Sequence, residues 1–306
     1  MKYFVYLLKG LAVGVANIIP GVSGGTIALI TGIFERLINA IKSFGLGTLK
    51  LLIKGKFKEF AEKTDLYFLL ALFLGVFTAI IALARLFDFL FVNYPVYIWS
   101  YFFGLVFASV YFVGKTIDKW NIAVILSFLL GTAIAVTLSF INPAAQNANF
   151  FYLMICGVVA VCSMILPGLS GSFVLILMGN YQLVAIDAIN NRDFEILLPV
   201  LIGAVGGLIA FSHILSWVFK RFKNQTIATL TGFILGSLNV LWPWKNAVYL
   251  KDEFGIPIIK KGEVIVAKYI SVLPDTFSTE VGLAVIFAIV GIVSIAVIEL
   301  TASSNK

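Results

Sequence analysis

The sequence predicts an all-α polytopic membrane protein made of two inverted-topology repeats, each a re-entrant helical hairpin followed by three transmembrane helices. Three observations predict it. Apolar runs of spanning length fill the chain, a Pro-Gly-x-Ser-Gly loop occurs twice between such runs, and the residues around both loops recur at fixed offsets.

Composition sets the class. Of 306 residues, 61% are hydrophobic and 12% charged, and mean hydropathy is +1.05. A soluble chain of this length needs a charged surface over its core. Here the apolar residues fall in runs of about twenty, enough to cross a bilayer as helix. The ten-residue alternation of an outer-membrane barrel is missing. Both a soluble enzyme and a barrel are thereby excluded. In a membrane chain, the net charge of +7 reads as Lys and Arg facing anionic lipid on the cytoplasmic side, not as a nucleic-acid surface. Cys156 and Cys162 share one apolar stretch and read as ordinary thiols. Met1-Lys2-Tyr3 resembles the start of a leader, but no small-residue cleavage site follows, so the segment is read as mature protein.

The first repeat, residues 1–141, opens with a hairpin over 1–41, built from apolar segments 1–18 and 22–41. A cytoplasmic linker, 42–65, precedes spans at 66–92, 95–114 and 121–141. The second repeat, 142–306, has its hairpin over 150–190, from segments 150–166 and 171–190. Spans at 196–219, 226–243 and 280–300 follow, with an outer connection over 244–279. Each hairpin is interrupted only by its loop, Pro20-Gly21-Val22-Ser23-Gly24-Gly25 or Pro167-Gly168-Leu169-Ser170-Gly171. A Pro-Gly pair breaks a helix. Non-helical backbone at membrane depth survives only where it is buried in protein or lines a cavity. Both tips are therefore expected inside the membrane. The run Ile256 to Val266 suggests a small outer β-hairpin, and Trp242-Pro243-Trp244 an interfacial aromatic belt.

A shift of 147 residues carries Pro20, Gly21, Ser23, Gly24 and Gly32 onto Pro167, Gly168, Ser170, Gly171 and Gly179. A shift of 128 carries Gly75, Arg85, Gly104 and Ser109 onto Gly203, His213, Gly232 and Ser237. This is the signature of duplication. Parity then fixes topology. A hairpin returns to the side it entered, and three spans leave the chain on the opposite side, so the second repeat must be inverted. With both termini cytoplasmic, Lys2, Lys9, the six lysines of 42–65, Lys115, Lys119, Lys220, Arg221 and Lys223 fall inside. Loops 92–95 and 142–149 carry no Lys or Arg, and loop 190–195 carries only Arg192. The five lysines of 244–279 weigh little, because long loops escape the positive-inside rule.

The paired loops carry the strongest chemical signal. Ser23 and Ser170 stand where they can cap the helices that follow. Those helices begin near mid-membrane, so unpaired N–H groups and positive dipole ends point inward. Gly21, Gly24, Gly25, Gly168 and Gly171 open the backbone to close approach. That combination suits a phosphate or carboxylate. The plainer reading is a tight turn with glycines for helix packing. Thr26 and Ser172 could add hydroxyl donors, and Asn17 could bond ligand or free carbonyls.

Arg85 and His213 lie inside apolar spans at equivalent repeat positions. A cation in the membrane is costly and usually functional. Arg85 could pair with phosphate in bidentate fashion, and His213, the only histidine, could titrate near neutral pH. Against this stand local pairing of Arg85 with Asp88 and snorkelling to the interface. Glu35 and Arg36 have no charged counterparts in the second repeat and are candidates for proton or sodium coupling, with Asp88. Asp187 and Glu299 read as interfacial. No Walker loop, metal-ligand spacing or catalytic triad is present in the sequence. No enzyme activity, cofactor, metal or nucleic-acid partner is expected, and the sequence sets no oligomeric state. Rival readings are a small-anion carrier or channel with the same loop chemistry, an intramembrane lipid phosphatase, and an envelope-synthesis scaffold.

The stretch Asn17-Ile18-Ile19-Pro20-Gly21-Val22-Ser23-Gly24-Gly25-Thr26 resembles the signature of a prokaryotic membrane family long labelled domain of unknown function 368. Met164 to Ser172 is similar to its second motif, and Gly232 to Leu238 followed by Trp242-Pro243 to a third stretch. The resemblance covers essentially the whole chain. It implies a polyprenyl-phosphate transporter of the cytoplasmic membrane. Such a protein would return undecaprenyl phosphate from the outer to the cytoplasmic leaflet for reuse in peptidoglycan and teichoic acid synthesis. The resemblance assigns no role to Glu35, Arg85 or His213.

Overall fold

Helix α1 (Lys2–Ile18) leads to the first Pro-Gly loop and the short α2 (Gly24–Ile30). The computed structural model describes residues 2–18, 23–141, 143–249, 259–260, 263–264, 266–274 and 278–303. Pro20, Gly21 and Val22 thus lie outside the described residues. Next come α3 (Phe34–Lys42), α4 (Leu46–Ile53) and α5 (Phe57–Lys63), then the long helices α6 (Leu66–Asn93), α7 (Pro95–Gly114) and α8 (Ile122–Phe140). The second series begins with α9 (Phe150–Ile165) and α10 (Gly171–Leu177). A π-helical stretch, Gln182–Asp187, leads into α11 (Ala188–Asn191), α12 (Phe194–Arg221) and α13 (Lys223–Leu241). Strands β1 (Lys245–Tyr249), β2 (Ile259–Lys260), β3 (Glu263–Val264) and β4 (Val266–Ser271) precede α14 (Thr279–Ser303). Local signals explain the starts. Asn121, Asn149 and Asp193 cap α8, α9 and α12 through their side chains, and Pro95 opens α7.

The hairpins differ from the expectation in one respect. Segments 22–41 and 171–190 were each expected as one helix, but both break after seven residues. Gly32 takes a φ of +70°, its amide bonds to Leu29 O, and the Ile33 amide bonds to Ala28 O. Gly179 takes a φ of +72°, with matching bonds from Gly179 to Ile176 O and from Asn180 to Leu175 O. Each is a left-handed glycine stop that satisfies the last carbonyls of the helix. Beyond the first stop, α3 turns away from α2 by 117°. The linker 42–65 holds α4 and α5.

Among the described residues, five helices, α6, α7, α8, α12 and α14, are long and apolar enough to cross a membrane; the bent pair α2–α3 makes a sixth if it counts as one span. The chain is thus a multi-pass membrane protein. Helix α13, expected as a span over 226–243, is less apolar because it carries Thr226, Thr229, Thr231, Ser237 and Asn239. Its position explains this. Most of it is buried, and it packs against α8 and α7. A helix shielded from lipid needs no lipid-facing apolar surface. The outward faces of α6, α12 and α14 instead expose large apolar residues such as Ile81, Leu201 and Val285.

Packing alternates between the two series. Helix α1 lies on α6 and α9 on α12, while α7 packs on α14 and α13 on α8. Glycine allows the close crossings: a Cβ at Gly75 would strike the Leu7 carbonyl, and one at Gly203 the Met154 carbonyl. Beyond α13, β1 pairs antiparallel with β4, and β2 with β3 through Ile259–Val264 and Lys260–Glu263. The rest of the expected hairpin, including Ile256–Ile258, Gly262 and Ile265, lies outside the described residues. Trp242 meets Phe103 edge to face and donates to Val272 O at 2.8 Å, which fixes the strand pair to the helices. Lys245 donates to Val240 O at the end of α13 and lies 4.1 Å over the Trp99 ring. Burial pushes its amine down to about 8.

Candidate functional site

Two breaks in the helices bring the hairpin tips together. At the first tip, Ser23 caps α2: its hydroxyl accepts from the Gly25 amide at 3.1 Å. The Gly24 amide donates to Asn17 Oδ1 at 2.9 Å, and the Thr26 amide to Ser23 O at 2.9 Å. All three first-turn amides are therefore occupied from within the tip. Gly21 lies outside the described residues.

The second tip touches the first at three points. Ser23 Oγ donates to Met164 O at 3.2 Å, and the Gly168 amide donates to Thr26 Oγ1 at 3.2 Å. A Cβ on Gly25 would sit 2.5 Å from Ile165 O, so only glycine lets α2 approach the end of α9 this closely. Ser23 and Thr26 are both buried in this seam. Gly168, at a φ of +80°, is wedged against α13, where a Cβ would stand 2.5 Å from Phe233 O.

The second tip is otherwise open. Ser170 precedes α10 but makes no capping bond; its hydroxyl pairs with that of Ser172 at 2.8 Å. The amides of Gly171, Ser172 and Phe173 have no partner among the described residues. Gly171 is buried, Ser170 half-buried and Ser172 exposed.

Beside the tips lies a cavity of about 490 Å³. Asn17, Gly24 and Gly25 form its polar end, and the rest of its wall comes from apolar residues of α1, α3, α6, α9 and α12 together with Phe44. Asn17 Nδ2, on this wall, has no partner among the described residues.

Arg85 and His213 are not brought to the tips. Arg85 is exposed on α6 and makes no hydrogen bond or ion pair among the described residues; the side chain of Asp88 lies outside them. It stands nine positions beyond Val76, the last cavity residue of α6, or about 14 Å along the helix. His213 is exposed on α12, with Nδ1 2.8 Å from Ile209 O of its own helix. Since Ile209 lines the cavity, His213 stands one turn, about 6 Å, beyond the wall.

Glu35 and Arg36 border a separate polar crevice with Asn39, Lys63 and Asp65. Arg36 binds Asp65 through two bonds, at 2.5 and 2.8 Å, donates to the Tyr6 hydroxyl, and stacks against Tyr6 and Phe68. Glu35 is exposed on the rim. Asp187 accepts from Gln182 at 3.3 Å, and the side chain of Glu299 lies outside the described residues. Asp65 and Tyr6 were not singled out from the sequence, since each is about thirty residues from Arg36 and no local spacing joins them. The Met164 carbonyl has no sequence signal at all. Buried Asn180 was also missed: it accepts from the Asn147 amide and donates to Asn147 O, which pins the connection between α8 and α9 to the second corner. Its place directly after Gly179 was the available hint.

Comparison with known proteins places these motifs in a wider group. Residues 13–256 match the family described as undecaprenyl phosphate translocase-like. A polyprenyl-phosphate transporter of Vibrio cholerae serotype O1 is 40% identical over 248 residues, covering 81% of this chain and 80% of that protein. A polyprenyl-phosphate transporter of Staphylococcus aureus is 29% identical over 259 residues, covering 78% and 86%. No solved structure gives a significant match.

Proposed function

This chain belongs to the undecaprenyl phosphate translocase-like family, and from that membership we propose that it is a transporter of polyprenyl phosphate. The cargo is undecaprenyl phosphate, carried from the outer to the cytoplasmic leaflet of the cytoplasmic membrane for reuse in cell-envelope synthesis. Both relatives bear the name of polyprenyl-phosphate transporter. The protein acts as a carrier and not as an enzyme.

The observation that carries this reading is the seam between the two loops, set against an apolar cavity. Two repeats of opposite orientation would meet at such a seam, and a small rocking of one against the other would open the site to either leaflet. The phosphate is held by the open second loop. The Gly171 and Ser172 amides supply donors that the protein itself does not use, and the Ser170 and Ser172 hydroxyls, bonded only to each other, leave one further donor free. On the first loop, Asn17 Nδ2 is the matching free donor, while Ser23, Gly24, Gly25 and Thr26 hold the scaffold. Gly168 keeps the second loop seated on α13. Arg85 acts earlier, as an exposed cation that draws the anionic headgroup toward the protein from the outer leaflet. His213, one turn from the cavity, aids release on the cytoplasmic side. With Arg36 committed to Asp65, the exposed Glu35 is the better candidate for proton or sodium coupling.

The test is reconstitution. Purified protein in vesicles loaded with undecaprenyl phosphate should equilibrate the lipid across the bilayer, read as the fraction exposed to an impermeant phosphatase. Replacing Ser170 and Ser172 together with Ala should slow this by about tenfold or more, as loss of charge-assisted donors predicts. Wild-type flux no faster than in protein-free vesicles would defeat the transporter reading.

A further inference from the structure

The cavity beside the tips is larger and more apolar than a phosphate requires. Its volume, about 490 Å³, falls within the roughly 300–1,000 Å³ of small-molecule sites. A phosphate needs a few donors and no apolar wall. Yet apart from Asn17 and the two glycine backbones, the lining is aliphatic and aromatic. Both series contribute to it, with Leu37, Ile38 and Leu72 on one side and Val161 and Val205 on the other.

The cavity opens among exposed apolar residues. Three of its lining residues, Phe73 on α6, Met164 on α9 and Val205 on α12, are exposed on the outer surface at 46%, 56% and 51%. These belong to the apolar faces that a bilayer would cover. A chain can therefore enter sideways without crossing water. The polar end of the cavity lies at Asn17, Gly24 and Gly25 of the first tip, where Asn17 Nδ2 is the free donor assigned to the phosphate. One polar end and one apolar barrel, open to lipid, match an amphiphile bound headgroup first.

We propose that this cavity receives the head-proximal isoprenoid segment of the lipid phosphate, so that the protein recognises the tail as well as the headgroup. This rests on the transporter reading above. The space is too small for a whole polyprenyl chain, so the distal units stay in the bilayer. Branched methyl groups along the chain pack against Phe34, Phe44 and Phe73, while a straight saturated chain leaves gaps between those rings.

The experiment uses full-length protein in lipid nanodiscs and measures binding of farnesyl phosphate, a straight-chain dodecyl phosphate of similar length, and inorganic phosphate. Wild type should bind farnesyl phosphate about tenfold or more tighter than dodecyl phosphate, since shape and a few methyl groups discriminate at that scale in apolar pockets. Val205→Phe should fill the mouth and remove that preference, while inorganic phosphate binding stays unchanged. Ile202→Phe places the same ring on α12 away from the cavity and should behave as wild type. Should Val205→Phe lose thermal stability, the milder Val161→Leu serves in its place. Equal affinity for the two lipid phosphates in wild type, or an undiminished farnesyl preference in the filled variant, would overturn the tail site while leaving the transporter intact. Failure of wild type to bind any lipid phosphate would overturn the transporter reading and the tail site with it.

Discussion

The two hairpin tips share a motif but differ in how their donors are used. At the first, Ser23 caps α2 and reaches the Met164 carbonyl, and the amides of Gly24, Gly25 and Thr26 are all bonded within the tip. At the second, Ser170 turns to Ser172, and three amides of α10 stay open. One tip is a joint, and the other leaves its amides open. The two loops share one motif; the partner each loop meets decides how its donors are used. The first is buried in the contact, and buried polar groups must be paired. The second is partly exposed and can wait for a ligand.

Four substitutions can break or sharpen this contrast. Gly168→Ala should have the largest effect. It forces an L-residue into a left-handed conformation, at about 1–2 kcal/mol, and drives a Cβ into the α13 backbone, for roughly 1–3 kcal/mol more. A fall in the unfolding midpoint of the detergent-purified protein measures it. Gly32→Ala is the control: its φ is also positive, but nothing lies within 4 Å of the added Cβ. A loss for Gly168→Ala no greater than for Gly32→Ala would remove the wedge from the account.

Thr26→Val should come second. It keeps the shape but strips the acceptor from the buried Gly168 amide, at about 1–3 kcal/mol. Chemical unfolding should show the loss, and Thr26→Ser should restore most of it. Third, Ser23→Ala removes a helix cap and a bond across the seam, which costs about 1 kcal/mol. The comparison with Ser170→Ala is the sharpest test of asymmetry. Since Ser170 bonds only its neighbour, its removal should move stability by less than about 0.5 kcal/mol while weakening binding of lipid phosphate. Equal stability losses for the two serines would show that the tips are alike after all.

The smallest effect is expected away from the tips. Arg36 and Asp65 are each about one-third exposed, at 33% and 36%. Pairs in such settings contribute little, typically about 0–1 kcal/mol. A double-mutant cycle of Arg36→Met and Asp65→Asn, read by unfolding midpoint, should give a coupling in that range. A larger value would make the corner of α3 as firm a joint as the first tip.

Much of this architecture was readable in the chain. Apolar run length fixed where the long helices lie, because a segment in lipid must bond its own backbone and be apolar throughout. The two offsets, 147 and 128, carry α2 onto α10 and α6 onto α12 with matching bounds. The Pro-Gly loops and their serines marked where the helices stop and start. Gly32 and Gly179 are also visible in the chain as a repeated pair.

Tertiary structure decided the rest. Which serine caps and which stays open depends on whether a carbonyl of the other hairpin lies within reach, and Met164 is 141 residues from Ser23. Arg36 pairs with Asp65 across 29 residues instead of with a neighbour on its own helix. Helix α13 tolerates its threonines because other helices cover it. Arg85 and His213 looked like site residues because a cation in an apolar run is costly. Exposure on α6 and α12 gives them another setting. Sequence period determines a helix and its lipid-facing character from groups a few residues apart. Partners, burial and free donors depend on groups brought together from far along the chain, and only the packed molecule specifies them.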